Sequence, residues 1–317
     1  MANLNTIGCA TILRNTGYGT CVFYPQFMRG AIRVGPDAEF DETALADLRA
    51  ALITQTHLDS KVDRAYPIHG FKNITDNTED TVFQTFADGS QVPVRDGNYN
   101  LTWQYTDGGW CLSNALRSFN FQNSRWLFYD QAFQFYGWRK QNAEGAYVLA
   151  GIPVVFHANP WRMNTGAEVA RFSVYFSIAA EYLNESLGFF KANFNPAEIE
   201  GLQTVAMTQV GTSLAGLITV QLTTGCDNTN IYDQYSTELA VAALWKGYND
   251  ATGAEIDIDT VTAVPGTKSF AVQLDVTDPD YPTTAPAKVR ISLAGPTALN
   301  AADIPNLESV VFITTRG

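Results

Sequence analysis

The sequence predicts a mainly β protein with minor α content. Aromatic residues make up 12% of the chain, including 19 Phe and 14 Tyr, and these side chains suit half-buried pleated surfaces. Short apolar runs of strand length recur along the chain, bounded by Gly, Asn, Asp and Pro. Sustained helical spacing is clear early on only in the stretch after Phe40.

Taken in order, Thr11–Leu13 and Thr20–Tyr24 flank Asn15-Thr-Gly-Tyr-Gly19 and read as a hairpin. Asp41 is a candidate cap for a helix over 42–55, with Leu45, Leu48, Leu52 and Ile53 on one face. Three Asp-Gly pairs then follow at Asp88-Gly89, Asp96-Gly97 and Asp107-Gly108. Alternating segments separate them, so they read as turns of an antiparallel meander. Pro93 marks its strand as an edge or a bulge. A short helix is expected at about 111–120, with Leu112, Leu116 and Phe119 on one side. Strands are expected at 126–129, 133–138 and 171–177, with a strand pair around Gly151 over 148–157.

After Asn193-Phe-Asn-Pro196 the large aromatics thin out, and Thr, Val, Ala and Leu take over. Six short strands are expected at 201–210, 216–224, 260–264, 269–275, 288–293 and 309–315, with helical content over 234–248. Such a layout suggests an immunoglobulin-like β-sandwich, although the Cys…Trp…Cys spacing of true immunoglobulin domains is absent. The expected division is therefore a β domain over 1–196 and a sandwich domain over 197–317.

The chain has 317 residues and a net charge of −12, with no basic cluster of the kind that neutralises phosphates. Specific nucleic-acid binding is not expected. The opening residues lack a basic segment followed by an apolar run, so no signal peptide is expected. No run reaches the length of a membrane span. The four cysteines, Cys9, Cys21, Cys111 and Cys226, are scattered. Free core thiols are expected, with a Cys9–Cys21 pairing left open.

Candidate chemistry is sparse. The three histidines, His57, His69 and His157, fit no metal-ligand spacing and are read as structural. No nucleophile elbow and no phosphate-binding loop occurs. The acidic stretch Asp76 to Asp80 does not match a calcium loop, and Asp275, Asp278 and Asp280 are a weak cation candidate. Asp-Gly has a complete local explanation as turn chemistry. Of six tryptophans, five (Trp103, Trp110, Trp126, Trp138 and Trp161) fall in the first domain, and core packing is their expected use over a sugar-binding platform. The reading is a non-enzyme without cofactor or metal.

Several stretches resemble the major tail (tail-tube) proteins of tailed bacteriophages. In the first domain they are Tyr66-Pro-Ile-His-Gly-Phe-Lys-Asn-Ile-Thr-Asp-Asn-Thr-Glu-Asp80, Asp96-Gly-Asn-Tyr99 and Leu149-Ala-Gly-Ile-Pro-Val-Val-Phe156. In the second they are Ala254-Glu-Ile-Asp-Ile-Asp-Thr-Val-Thr-Ala-Val-Pro265 and Arg290-Ile-Ser-Leu-Ala-Gly-Pro-Thr297. The resemblance implies a tail-tube-like β domain followed by an immunoglobulin-like module. It also implies subunits in hexameric rings, stacked into the tail of a virion, with other virion proteins as neighbours. Viral DNA would be a non-specific passenger, and no membrane would be involved. A net negative wall would let phosphate slide rather than bind. The expected subunit-contact loops carry Asp76, Glu79, Asp80, Asp88, Gly89, Asp96 and Gly97, with Asp88-Gly89 and Asp96-Gly97 on hairpin tips. A capsid-associated or head–tail connector protein, a carbohydrate-binding surface module, and a hydrolase with distant carboxylates are the alternatives.

Overall fold

The computed structural model describes residues 5–6, 26–122, 124–184, 186–213, 216–283 and 288–315. The hairpin expected over 11–24 and the Cys9–Cys21 question lie outside them. The protein is mainly β, with 43% strand and 15% helix. It divides into two compact units. One holds residues up to Thr56 together with Ser60–Glu200, and the other holds His57–Asp59 together with Gly201–Gly317.

The first unit contains fourteen described strands. They are β1 (Asn5–Thr6), β2 (Met28–Val34), β3 (Glu39–Phe40), β4 (Tyr66–His69), β5 (Asn73–Asp76), β6 (Val82–Thr85) and β7 (Gln91–Arg95). The remainder are β8 (Tyr99–Tyr105), β9 (Ser124–Asp130), β10 (Gln134–Gln141), β11 (Tyr147–Ala150), β12 (Ile152–Ala158), β13 (Phe172–Ile178) and β14 (Leu187–Lys191). All but β6 and β7 join one branched sheet, whose main path is β1-β14-β10-β9-β12-β13-β8-β5.

Strands β2, β9 and β10 are buried on both faces. Ala31, Trp126, Phe128 and Tyr136 point into one core cluster. Their neighbours Ile32, Leu127, Tyr129 and Phe135 point into another. Alternation of side chains along a strand produces this two-sided packing. The first cluster is closed by β8, β12 and β13 through Trp103, Phe156 and Phe176. The second is closed by Leu45, Leu48 and Leu52. Asp130, fully buried, ends β9. Its carboxylate accepts bonds from the backbone N–H groups of Gln26, Ala132 and Gln134 and from the Tyr136 hydroxyl. Burial, and next the bond to Asp130, push the Tyr136 phenol far above its ordinary range.

The helix expected over 42–55 is two helices, α1 (Glu42–Ala46) and α2 (Leu48–Thr56). Asp41 caps the first, accepting from Ala44 N–H at 2.8 Å. Asp47 breaks the run, because its carboxylate accepts from Ala50 N–H at 3.1 Å and restarts the helix. The third helix, α3 (Gly109–Arg117), begins just after Asp107-Gly108. Cys111 within it is in a disulfide, and so, separately described in the second unit, is Cys226, which overturns the expectation of free thiols at both positions. Separation along the chain says nothing about the Cα distance of about 7 Å or less that a disulfide needs.

The second unit has eight described strands: β15 (Val205–Gln209), β16 (Leu217–Thr224), β17 (Trp245–Asn249), β18 (Glu255–Ile256), β19 (Ile258–Val264), β20 (Ser269–Leu274), β21 (Lys288–Leu293) and β22 (Val311–Thr315). They form two four-stranded antiparallel sheets, β15-β16-β20-β19 and β18-β17-β21-β22. Val220, Leu222 and Phe270 from one sheet share a single core cluster with Trp245, Ile291 and Leu293 from the other. His57 belongs to this unit, with Nε2 2.6 Å from Pro305 O. The helical content expected over 234–248 is short and interrupted. A four-residue helix at Tyr232–Tyr235 is followed by a 3-10 turn at Ala242–Leu244 and then by β17. Trp245 is buried on that strand, with its indole N–H on Leu239 O at 2.8 Å. Packing overrides the local helical spacing.

Candidate functional site: a projecting β-ribbon

The segment from Asn73 to Tyr105 is one long antiparallel ribbon rather than a meander. Strands β5 and β8 pair from Asn73↔Gln104 to Asp76↔Leu101. Backbone bonds Asn77 N–H to Asn100 O and Glu79 N–H to Asn98 O carry the same register outward. Strands β6 and β7 continue it at Val82↔Arg95, then slip by one residue at a bulge between Val82 and Phe83. Such a bulge twists and bends a ribbon. The inner half is part of the main sheet, while β6 and β7 pair only with each other.

The Asp-Gly pairs therefore have three different roles. Asp88-Gly89 is the tip. Gly89 takes φ +82°, which glycine adopts without strain. Phe86 N–H bonds to Ser90 O at 2.8 Å across the turn. The Asp88 carboxylate accepts from the Ser90 hydroxyl at 2.7 Å and the Ser90 N–H at 2.9 Å. These bonds, the hydroxyl first, hold its pKa below the ordinary carboxylate range. Asp96-Gly97 is not on a tip, contrary to expectation. It lies where the ribbon leaves the sheet, and a Cβ on Gly97 would sit 1.9 Å from Glu79 O. The two arms approach so closely there that only glycine fits. Asp107-Gly108 precedes α3, where Gly108 takes φ +83°.

The other predicted contact residues lie toward the base. Glu79 meets Arg95 at 3.6 Å and the Asn100 amide at 3.4 Å. Asp96 accepts from the Thr81 hydroxyl at 3.3 Å. Asp76 accepts from Thr78 N–H at 2.9 Å, and Asp80 is exposed. Glu79, Asp96 and Gly97 are thus brought together at the base, with Asp88 and Gly89 roughly 20 Å away along the arms. Among the described residues, no group of three or more His, Cys, Asp or Glu is placed to hold a metal. Asp275 and Asp278 cap turns, accepting from Thr277 N–H at 2.8 Å and Asp280 N–H at 2.8 Å.

The informative side chains are the apolar ones. Val82, Phe83, Phe86, Val92 and Val94 are 41–60% exposed, and every residue of β6 and β7 is solvent-facing. Two-stranded hairpins are at best marginally stable alone in water. Exposed apolar side chains concentrated in one short hairpin make it the candidate interaction element. Sequence reasoning treated these residues as ordinary strand material. A usable signal was present, because apolar residues occupy both parities of the alternation (Val82 and Phe83), which a one-sided strand does not need. Among the tryptophans, Trp103 and Trp126 are fully buried, Trp138 and Trp161 pack against the same cluster, and Trp110 is exposed.

The chain matches no protein-family model and no curated protein. Among the described residues no helix is long and apolar enough to cross a membrane.

Proposed function

We propose that this chain is a self-assembling structural subunit, a non-enzymatic tail-tube protein of a tailed-bacteriophage virion. Copies form rings, hexameric by the resemblance, that stack into a tube through which DNA passes. The second unit is then the immunoglobulin-like module on that tube. The observation that carries the reading is the projecting ribbon with its five exposed apolar side chains. Covering one Val or Phe side chain is worth about 1.5–3 kcal/mol when complete. Five of them half-covered offer roughly 5 kcal/mol gross on docking. A ribbon also presents strand edges that a neighbouring subunit can satisfy. The tail-tube resemblance across both units and the net charge of −12 fit a conduit that does not hold phosphate. Negative-stain microscopy of the concentrated protein tests the reading. Rings or tubes are expected, and a monodisperse monomer at every concentration would refute it.

A further inference from the structure

The same sheet carries a second projecting hairpin, and it leaves from the opposite end. Strands β12 and β13 pair through His157↔Tyr175. Their ladder continues outward through the bridges Arg162↔Arg171 and Thr165↔Glu168. Strands β8 and β13 are antiparallel, with Tyr99↔Ile178 at one end and Tyr105↔Phe172 at the other. The ribbon tipped by Asp88 enters β8 at Tyr99. The hairpin over 159–171 enters β13 at Phe172. The two projections therefore extend from opposite ends of one pair of strands.

Their chemistry is complementary. Between Asp76 and Asp96 the charged residues are five acids and Arg95, and Arg95 is already engaged by Glu79. Between Asn159 and Arg171 they are Arg162, Glu168 and Arg171. Glu168 pairs with Arg171 at 3.1 Å, while exposed Arg162 has no ion pair among the described residues. Beside it Met163 and Val169 are 71% and 67% exposed. One projection is thus acidic and apolar, and the other is apolar with an unpaired cation.

We propose that the Asp88-tipped ribbon of one copy docks on the 159–171 hairpin of a second copy. The Asp88 carboxylate pairs there with Arg162, and Val92 and its apolar neighbours cover Met163 and Val169. This rests on the self-assembly reading and names the partner surface that it requires. An isologous contact of ribbon against ribbon would set acids against acids, which costs affinity. A contact between opposite ends is heterologous and propagates head to tail.

Complementation between two variants tests it. Val92→Asp disables the ribbon and Met163→Asp disables its seat, each on an exposed position. Far-UV circular dichroism verifies that both fold. Each variant alone should be monomeric by light scattering, and an equimolar mixture should give a heterodimer through the one intact pair of surfaces. Arg162→Glu should weaken self-association by roughly tenfold, and adding Asp88→Arg should restore it. If the wild type assembles while Met163→Asp and Arg162→Glu assemble equally well, the seat is wrong and the self-assembly reading stands. If the mixture stays monomeric, the pairing of these two surfaces is likewise overturned. A monomeric wild type would remove the self-assembly reading itself.

Discussion

The two halves of the Asn73–Tyr105 ribbon share one ladder and differ in what covers them. The inner half places Trp103, fully buried, against Phe71 at 4.3 Å and Phe176 at 4.6 Å between ring centroids. In the outer half Phe83 and Val92 face water. Backbone pairing runs on both sides of the base, interrupted in the outer half only by the bulge at Val82, so pairing alone does not decide what the strands do. Burial does: the inner half stabilises the fold, and the outer half is exposed.

Substitutions along the ribbon should separate these roles. Trp103→Ala should have the largest effect, about 3–5 kcal/mol of lost stability, from the cavity it leaves. The urea midpoint would report it, and a loss below 1 kcal/mol would mean the cluster is not the core it looks like. Gly97→Ala comes next. Its methyl group meets the Glu79 backbone, and relieving that overlap should cost about 1–3 kcal/mol. Gly89→Ala at the tip has open space around it and a strained φ only. The expected cost is about 1 kcal/mol, confined to the turn and visible as faster amide exchange from Phe86 to Ser90.

Val92→Asp should change monomer stability by no more than about 0.5 kcal/mol while abolishing assembly. Concurrent loss of both would place Val92 inside the fold. The smallest effect concerns pH. The folded pKa of Asp88 is lowered by its bonds to Ser90, so its contribution is present above the ordinary carboxylate range. It is lost as pH falls through the lowered value. Asp88→Ala should accelerate exchange at the tip at neutral pH and make no difference below that window. A difference that persists in strong acid would contradict this account.

Parts of this comparison were legible in the sequence. The β class followed from aromatics and turn spacing, and Asp88-Gly89 was recognisable as a turn because Gly and Asp carry their own conformational reasons. The Asp96-Gly97 pair carries the same dipeptide for another reason, close approach to Glu79 on the facing arm, which no local turn pattern shows. Asp47 lies inside the single helix expected over 42–55, yet it caps a new helix, because a carboxylate competes with the helical backbone. Trp245 sat in helical spacing and became a strand residue through packing against Phe270 at 5.7 Å. The apolar outer ribbon was hidden for a similar reason: alternation suggests a strand, but only the sheet topology tells whether anything lies over it. The 159–171 hairpin lacks the sustained alternation that signals strands, and only isolated bridges join its arms.

Sedimentation velocity of the wild type beside a Phe83→Asp, Val92→Asp double variant tests the central claim most directly. The wild type should sediment as a large assembly that dissociates on dilution, and the variant as a folded monomer. Equal sedimentation of the two proteins, whether both assembled or both monomeric, would contradict the claim that the outer ribbon is the docking element.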